Sequence, residues 1–338
     1  MSSGGGSMTT TDMVYRILRG ASGYLSGEKV SQELGLSRSG VNNCVQRLRQ
    51  EGFHILSATN RGYRLLEDTD LLNSRELLWY LGEPRMQSVY CYDSIDSTNK
   101  ELKRRLSENP ADGTVAVSNQ QTRGKGRMGR TFISPKDVGI YLSILFRTEA
   151  PVDRIPELTA WTAVAVSRAI TASCGAACTI KWVNDLLVNN KKICGILTEA
   201  VMEAESGRTS SVVIGIGVNA NEGREGFPEE IRSKASSLRL ETGQSVCRAR
   251  LAAAMIQELD RMRQDWPNCP ESYLQEYRAA CVTLGRNILV EKEGERRPAV
   301  ALAIMDDFSL QVRFLDTGEI ARLRSGEVRV RAENGEYI

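Results

Sequence analysis

Along this 338-residue chain the spacing of apolar residues changes period twice, and no single bundle or sheet satisfies all three regimes. Over residues 12–52 the spacing is helical, and 12–19, 28–34 and 38–50 read as three short helices. Ser26 and Ser37 stand where N-caps belong and Gly35 interrupts the chain between the second and third segments, which is helix-turn-helix spacing. Alternation at Phe53, Ile55 and Leu56, a turn at 60–62, then Tyr63, Leu65 and Leu66 predict a hairpin wing, with His54 as a wing or surface residue. Over 71–281 strand-like and helix-like stretches alternate, as in an α+β domain. Strands are expected at 89–92, 114–119, 140–146, 179–182 and 212–218, and helices at 158–174 and 248–265. Over 283–338 period two returns (Ile288, Val290; Leu310, Val312, Phe314; Val328, Val330), with turns at Gly294, 306–307, Gly318 and Gly326, the pattern of a small β-barrel.

This length favours several cores over one. The division expected is 8–68, 69–282 and 283–338, preceded at 1–7 by MSSGGGS, which has no apolar h-region and reads as a tag or linker ahead of a second start-like Met8. The longest apolar stretch, 158–178, is broken by Arg168 and several Thr and Ser, which suits a packed helix and not a membrane span. Eight cysteines without a CxxC, and a single histidine, point to a reducing compartment and away from a zinc site. Cys174 and Cys178 lie four apart but lack a second ligand pair and are expected to be buried thiols.

Residues 8–66 carry eight Lys and Arg against four Asp and Glu in a chain whose net charge is +2. A basic excess on a small helical module is the footprint of a DNA reader. Ser37, Arg38, Asn42, Asn43, Gln46 and Arg47 on the third helix, with Arg61 and Arg64 on the wing, are the residues expected to face nucleic acid. A solvated face of a protein-interaction module is the competing reading.

Four constellations carry chemistry. In 121–130, QTRGKGRMGR, glycines alternate with basic residues directly after a strand, so backbone amides and cationic side chains are available to a phosphate or adenylate. The run is neither a Walker A loop nor a dinucleotide fingerprint, and by itself also fits a flexible surface loop. In 181–185, KWVND, polar groups end a strand, followed by a turn at Asn189 and Asn190, then Lys191, Lys192 and Gly195; this suits a ligand pocket or an ordinary hairpin. In 215–221, GIGVNAN, glycines interrupt an apolar strand, which weakens it unless something approaches closely. In 96–99, DSTN precedes a predicted helix at 100–106 and offers either caps or ligand contacts.

Together, and in this order, the four resemble the biotin protein ligase family. GRGRxGR of that family is similar to 124–130, KWPND to 181–185, Lys-x-x-Gly-x-Leu-x-Glu to 192–199, and GIGxNxN to 215–221. Including the N-terminal module and the ending at 326–331, the resemblance is to the bifunctional class that also represses biotin operons. It implies a winged helix-turn-helix, a central class II synthetase-like catalytic domain and a C-terminal SH3-like β-barrel. It further implies ATP and biotin as substrates with Mg2+, and biotinyl-5'-AMP as intermediate and corepressor. The implied partners are a biotin carboxyl carrier protein and operator DNA, with homodimers when adenylate is bound, no membrane, and a cytoplasmic location.

By the same resemblance Arg127 and Lys192 are catalytic. Ser97, Thr98, Asn99 and Gln121, with Lys125, Gly126, Arg127, Lys192 and Gly195, take biotin. Arg130, Phe132, Lys181, Asn184, Asp185 and Asn219 take the adenylate, with no resident metal and at most a transient Mg2+ contact at Asp185. Three positions depart from the pattern: Lys125 stands for Arg, Val183 for Pro, and Phe132 for Trp. Lysine keeps the charge but loses the bidentate fork, and Phe keeps an aromatic face, so activity is expected with altered nucleotide affinity. A lipoate or octanoyl ligase of the same architecture and a non-catalytic biotin-sensing regulator are the rival readings; intact Arg127 and Lys192 oppose the second.

Overall fold

The computed structural model describes residues 8–67, 70–202, 209–292, 294–324 and 329–332. The tag-like segment 1–7 and the residues Gly326 and Val328 lie outside them. The N-terminal helices are α1 (Thr10–Arg19), α2 (Gly27–Leu34) and α3 (Arg38–Gln50). Ser26 and Ser37 cap α2 and α3 as expected, their hydroxyls accepting from the Lys29 and Gly40 amides, and Gly35 turns the chain in the left-handed region at φ +64°. The start of α1 is set two residues earlier than its apolar spacing suggests, by a reciprocal capping box between Thr9 and Asp12. The wing is the antiparallel pair β1 (Ile55–Ala58) and β2 (Gly62–Leu65). Val14, Val30, Val41, Val45, Leu48 and Phe53 close a core of this unit's own.

The chain continues through α4 (Ser74–Leu81), β3 (Val89–Tyr92), α5 (Thr98–Arg105), β4 (Val115–Ser118), β5 (Gly139–Arg147), α6 (Ile155–Cys174), β6 (Thr179–Lys181), β7 (Asp185–Val188), β8 (Lys191–Met202) and β9 (Thr209–Asn219). It then forms α7 (Leu238–Thr242), α8 (Arg248–Asp265) and α9 (Pro270–Ala280). Seven strands make one mixed sheet in the order β3-β4-β5-β9-β8-β7-β6, in which only β3 and β4 run parallel. Side chains alternate across it, as the period of a strand requires. Ile140, Leu142 and Ile144 of β5 join Val212, Ile214 and Ile216 of β9 in the large core that holds α6 and α8. Leu145 and Val213, one residue out of phase, pack with Leu102 of α5 on the opposite face.

Helix α6 is apolar nearly all round because it is enclosed: Trp161 is fully buried and stacks on Tyr273 of α9 at 4.1 Å. It ends at Gly175, so the apolar run 158–178 is a core helix and a turn, and no helix of the described residues is long and apolar enough to cross a membrane. All eight cysteines are free thiols; Cys174 and Cys178 are only partly buried, a correction to their expected burial, because they stand at the helix end and just past its turn.

The last strands, β10 (Asn287–Lys292), β11 (Glu295–Ile304), β12 (Leu310–Phe314), β13 (Ile320–Leu323) and β14 (Arg329–Ala332), form an antiparallel sheet in the order β13-β12-β11-β10-β14. Its apolar face belongs to the same core as the central sheet: Phe308 meets Trp161 and Tyr277, and the Trp182 Nε1–H donates to the Phe308 carbonyl at 3.0 Å.

Several contacts fasten the helical unit to the central one, among them the ion pairs of Arg16 with Glu83 at 2.7 Å and of Arg75 with Asp12 at 2.8 Å. The Tyr15 hydroxyl donates to Glu76 of α4 at 2.8 Å, with Arg19 3.6 Å from the same carboxylate. Just past the wing, Asp70 accepts from the Arg248 Nε at 2.6 Å and from Asn221 at 2.8 Å. Arg248 is 1% exposed and also donates to Asn119 and to the Gly139 and Asp70 carbonyls, so its buried charge is paired and hydrogen-bonded.

Glu222 lies in the same region and is 2% exposed. Burial pushes its carboxyl up to about 7, with nearby backbone amides, Arg248 and Arg239 offsetting this only in part. Because the folded value exceeds the unfolded one, the folded state binds the proton more tightly, and stability present at low pH is lost as pH rises from about 4.5 to about 7. Glu222→Gln, which does not titrate, is therefore expected to gain about 3 kcal/mol relative to the parent across that window. Urea unfolding of both proteins at pH 5 and pH 8 measures it; equal differences at the two pH values would contradict the assignment.

Candidate active site

The sheet face that carries α5 is not filled everywhere. Ser143 of β5 lies opposite Gly215 of β9, and Gly217 lies opposite Tyr141 on one side and Gly195 of β8 on the other. Three glycines and a serine at adjacent positions leave a hollow that other side chains enter. A Cβ on Gly215 would sit 2.1 Å from the Asn99 Oδ1, and one on Gly217 2.4 Å from the Phe132 ring. The glycines that interrupt the apolar strand are thus accounted for by close approach.

The result is a half-open cleft whose walls mix apolar surface with a few convergent polar groups, the make-up of a small-molecule site. Ser97, Thr98 and Asn99 enter it from the start of α5, all three buried. Of the two roles expected for 96–99, the cleft takes Ser97, Thr98 and Asn99; the helix begins at Thr98 instead of residue 100, and its N-cap residue Ser97 forms no side-chain capping hydrogen bond. Gln121 holds Thr98, its Oε1 accepting from the Thr98 amide at 2.9 Å and hydroxyl at 3.2 Å, while its Nε2 donates to Ser134 at 3.1 Å. Below them the Ser143 hydroxyl reaches the Thr98 Oγ1 at 2.7 Å and the Asn99 Oδ1 at 2.5 Å.

The other wall is cationic. Lys125, Gly126, Arg127 and Phe132 line it from the glycine-rich loop, and Asn184, Lys192 and Gly195 from the strand ends. Arg127 donates to the Asn184 Oδ1 at 3.0 Å, and Asn184 in turn donates to the Ile196 carbonyl at 2.9 Å. The Lys192 Nζ stands 2.6 Å from Asp185. Met128 at φ 56° and Gly129 at φ +73° turn the loop back on itself, and the Gly126 amide donates to the Arg130 carbonyl at 2.7 Å. The Arg123 and Gly126 amides donate to the Asp96 and Arg130 carbonyls and so tie the limbs of the loop.

Of the residues expected at the site, Arg130, Lys181, Asp185 and Asn219 do not line the cleft. Arg130 is exposed on the outer limb of the loop. Lys181 and Asp185 pair across β6 and β7 beside the cleft, and the Asn219 Nδ2 donates to the Ser236 carbonyl at 3.0 Å, holding the segment before α7. Ser143, Gly215 and Gly217 were not among the expected ligand residues. A serine inside the apolar run 140–146 and glycines inside 212–218 were the available signals.

The helix-turn-helix presents Asn42, Asn43, Gln46 and Arg47 as one exposed strip of α3, opposite buried Val41, Cys44, Val45 and Leu48. Arg38 is exposed beside Glu28 at 2.9 Å, Ser37 is the cap, and Tyr63 of the wing donates to Asn42 at 3.3 Å. Arg61 and Arg64 are exposed on the wing, Arg61 4.5 Å above the Tyr24 ring, and His54 is exposed at the wing's base.

Residues 91–219 match the Biotin/lipoate A/B protein ligase family, and residues 11–64 match an HTH domain. The bifunctional ligase/repressor BirA of Bacillus spizizenii is 36% identical over 256 residues, 75% of this chain and 78% of that protein. The chain belongs to the biotin protein ligase family. Its similarity extends to the Escherichia coli bifunctional ligase/repressor BirA, 31% identical over 236 residues, 70% of this chain and 71% of that one. The fold is that of the Aquifex aeolicus biotin protein ligase solved with biotin and ATP, at a TM-score of 0.62 and 23% identity, over 73% of this chain and all of that one. Family membership and the cleft thus rest on the same segment, since α5 and β4 to β9 fall within the matched residues.

Gly217→Ala is expected to expel the Phe132 ring and lower thermal stability, and Phe132→Leu in the same chain to recover much of the loss by making room. Thermal unfolding of the two single variants and the double variant measures the coupling; strictly additive effects would show that the two residues do not meet.

Proposed function

We propose that the chain joins biotin to a lysine of a biotin carboxyl carrier protein through biotinyl-5'-AMP, and that its N-terminal unit represses biotin genes by binding operator DNA. The observation that carries the first part is the cleft itself. It sets a hydroxyl- and amide-bearing end (buried Ser97, Thr98 and Asn99, with half-buried Gln121) against a cationic end (Lys125, Arg127, Lys192). A molecule with a neutral hydrogen-bonding head and a carboxylate tail, as biotin has, matches that polarity.

In the first step a biotin carboxylate oxygen attacks the ATP α-phosphorus and the bond to pyrophosphate breaks. Anions must be brought together, so cations fixed beforehand around the developing charge lower the barrier, and no histidine is needed. Lys192 and Arg127 take that role, each held by a strand-end partner, Asp185 and Asn184. Lys125 adds charge without the fork of an arginine. Mg2+ would arrive as the ATP complex, a setting in which protein carboxylates contribute one or two ligands and phosphates and water the rest; Asp185, beside Lys192 at 2.6 Å, would be the carboxylate to contribute. Arg130, Lys181, Asn219 and Phe132 complete the nucleotide side of the site in this reading. In the second step the carrier amine attacks the acyl carbon, AMP leaves with the phosphate oxygen, and the amine's surplus proton passes to solvent.

The DNA part rests on the exposed strip of α3 and the two wing arginines, which suit a major-groove helix with a flanking basic wing. The boundaries 68/69 and 282/283 separate the three functional parts, adenylate binding favours a homodimer that spans two half-sites, and the chain works in the cytoplasm.

Exchange of labelled pyrophosphate into ATP is expected with biotin and not with lipoate; exchange with lipoate alone would favour the rival ligase, and exchange with neither a sensing regulator. Arg127→Gly is expected to release the adenylate faster and to biotinylate bystander proteins, and an unchanged release rate would remove Arg127 from its role. Arg47→Ala is expected to weaken operator binding and flatten its salt dependence by about one charge. Sedimentation showing only monomer with and without the adenylate would sink the dimer.

A further inference from the structure

An ion pair beneath the cleft has no part in the scheme above. Glu199 of β8 and Lys103 of α5 face each other at 2.7 Å, their side chains about three-tenths exposed. Screened by solvent to that extent, the pair adds little to stability, yet its second carboxylate oxygen accepts from the Asn99 Nδ2, also at 2.7 Å.

A side-chain amide has two ends of nearly equal shape, and only its partners decide which way round it lies. A carboxylate accepts and cannot donate. The Leu197 carbonyl, 3.4 Å from the same Nδ2, is an acceptor too. Reversing the amide would therefore place its oxygen against two acceptors and its NH2 against the Ser143 hydroxyl. We propose that Glu199, held ionised by Lys103, is a positioning residue that fixes the Asn99 amide with its carbonyl oxygen toward the cleft, where it accepts from an N–H of the substrate's ring.

The geometry leaves little slack. Gly215 lets the Asn99 oxygen approach its backbone, and the Ser143 hydroxyl, 2.5 Å away, has a single proton to share between that oxygen and the Thr98 Oγ1. The orientation set at Glu199 is thus passed along Asn99, Ser143 and Thr98 to Gln121. Burial pushes the Glu199 carboxyl up, but Lys103 from α5, Asn99, and Lys125 from the loop outweigh it and hold the group below its ordinary range. The inference rests on the biotin reading of the cleft, since biotin's fused ring carries two N–H groups and lipoate's carries none.

Biotin binding by calorimetry and pyrophosphate exchange, both on the full chain, test it together. Glu199→Gln, whose amide can also donate, is expected to raise the biotin Kd and KM about tenfold, with kcat within about twofold and the KM for ATP unchanged. In Lys103→Met the carboxyl loses its cation, so the fall of kcat/KM for biotin on acidification is expected to begin at higher pH, while Glu199→Gln lacks that limb. Asn99→Asp combined with Glu199→Gln exchanges donor and acceptor and is expected to recover part of the lost affinity. If Glu199→Gln and Lys103→Met unfold at the parent's temperature and bind biotin like the parent from about pH 5 to 8, the positioning role is overturned and the biotin reading stands. A parent chain that binds no biotin overturns both.

Discussion

The cleft depends on a place where the sheet lacks side chains. Elsewhere the central sheet is covered on both faces, α6 and α8 on one and α5 on the other. At Gly195, Gly215 and Gly217 the backbone is bare, and the start of α5 and the base of the basic loop come down on it until Asn99 and Phe132 touch what would otherwise be Cβ atoms. The neutral and cationic ends of the site are placed by this one feature. Each is anchored to the strands, the loop tip through the Arg127 side chain on Asn184.

That dependence explains which parts of the chain were legible beforehand. Helices α3 and α8 and strand β3 begin and end where periodicity and caps put them, because each has a clear apolar face and a local stop signal. The glycines of β9 announced a close approach without saying what approaches, since Asn99 and Phe132 are over 80 residues distant in sequence. Strand β8, which carries Lys192, Gly195 and Glu199, was foreseen only as one limb of a possible hairpin after Asn190, because two lysines at its start and a glutamate within it interrupt the apolar run that a central strand usually shows. The C-terminal strands were anticipated only where apolar residues alternate, so β11, opening on Glu295, Arg296 and Arg297, escaped notice.

Roles were less legible than places. Asn219 belongs to a motif that resembles a ligand site, and in the folded chain its side chain also holds the Ser236 carbonyl. Ser143 and Glu199 shape the cleft from beneath, and their place in the sequence marks them as unusual without saying what they hold. Motif membership reports that a residue belongs to the neighbourhood; hydrogen-bond partners report what it does there. The expected separate C-terminal unit likewise turns out to share its interior with the central sheet through Phe308 and Trp182, a contact between residues 126 positions apart that no local pattern encodes.

The basic loop is less free than its glycine content suggests. The Phe132 amide donates to the Gly124 carbonyl at 3.0 Å and the Gly126 amide to Arg130 at 2.7 Å, so two rungs already close it and only Arg127–Gly129 lie beyond them. Immobilising backbone costs about 1–2 kcal/mol per residue. A ligand that gathers this loop therefore has to order three residues at its tip and not the whole basic run, and most of the entropy of assembling the cationic wall is lost when the chain folds, before any anion arrives.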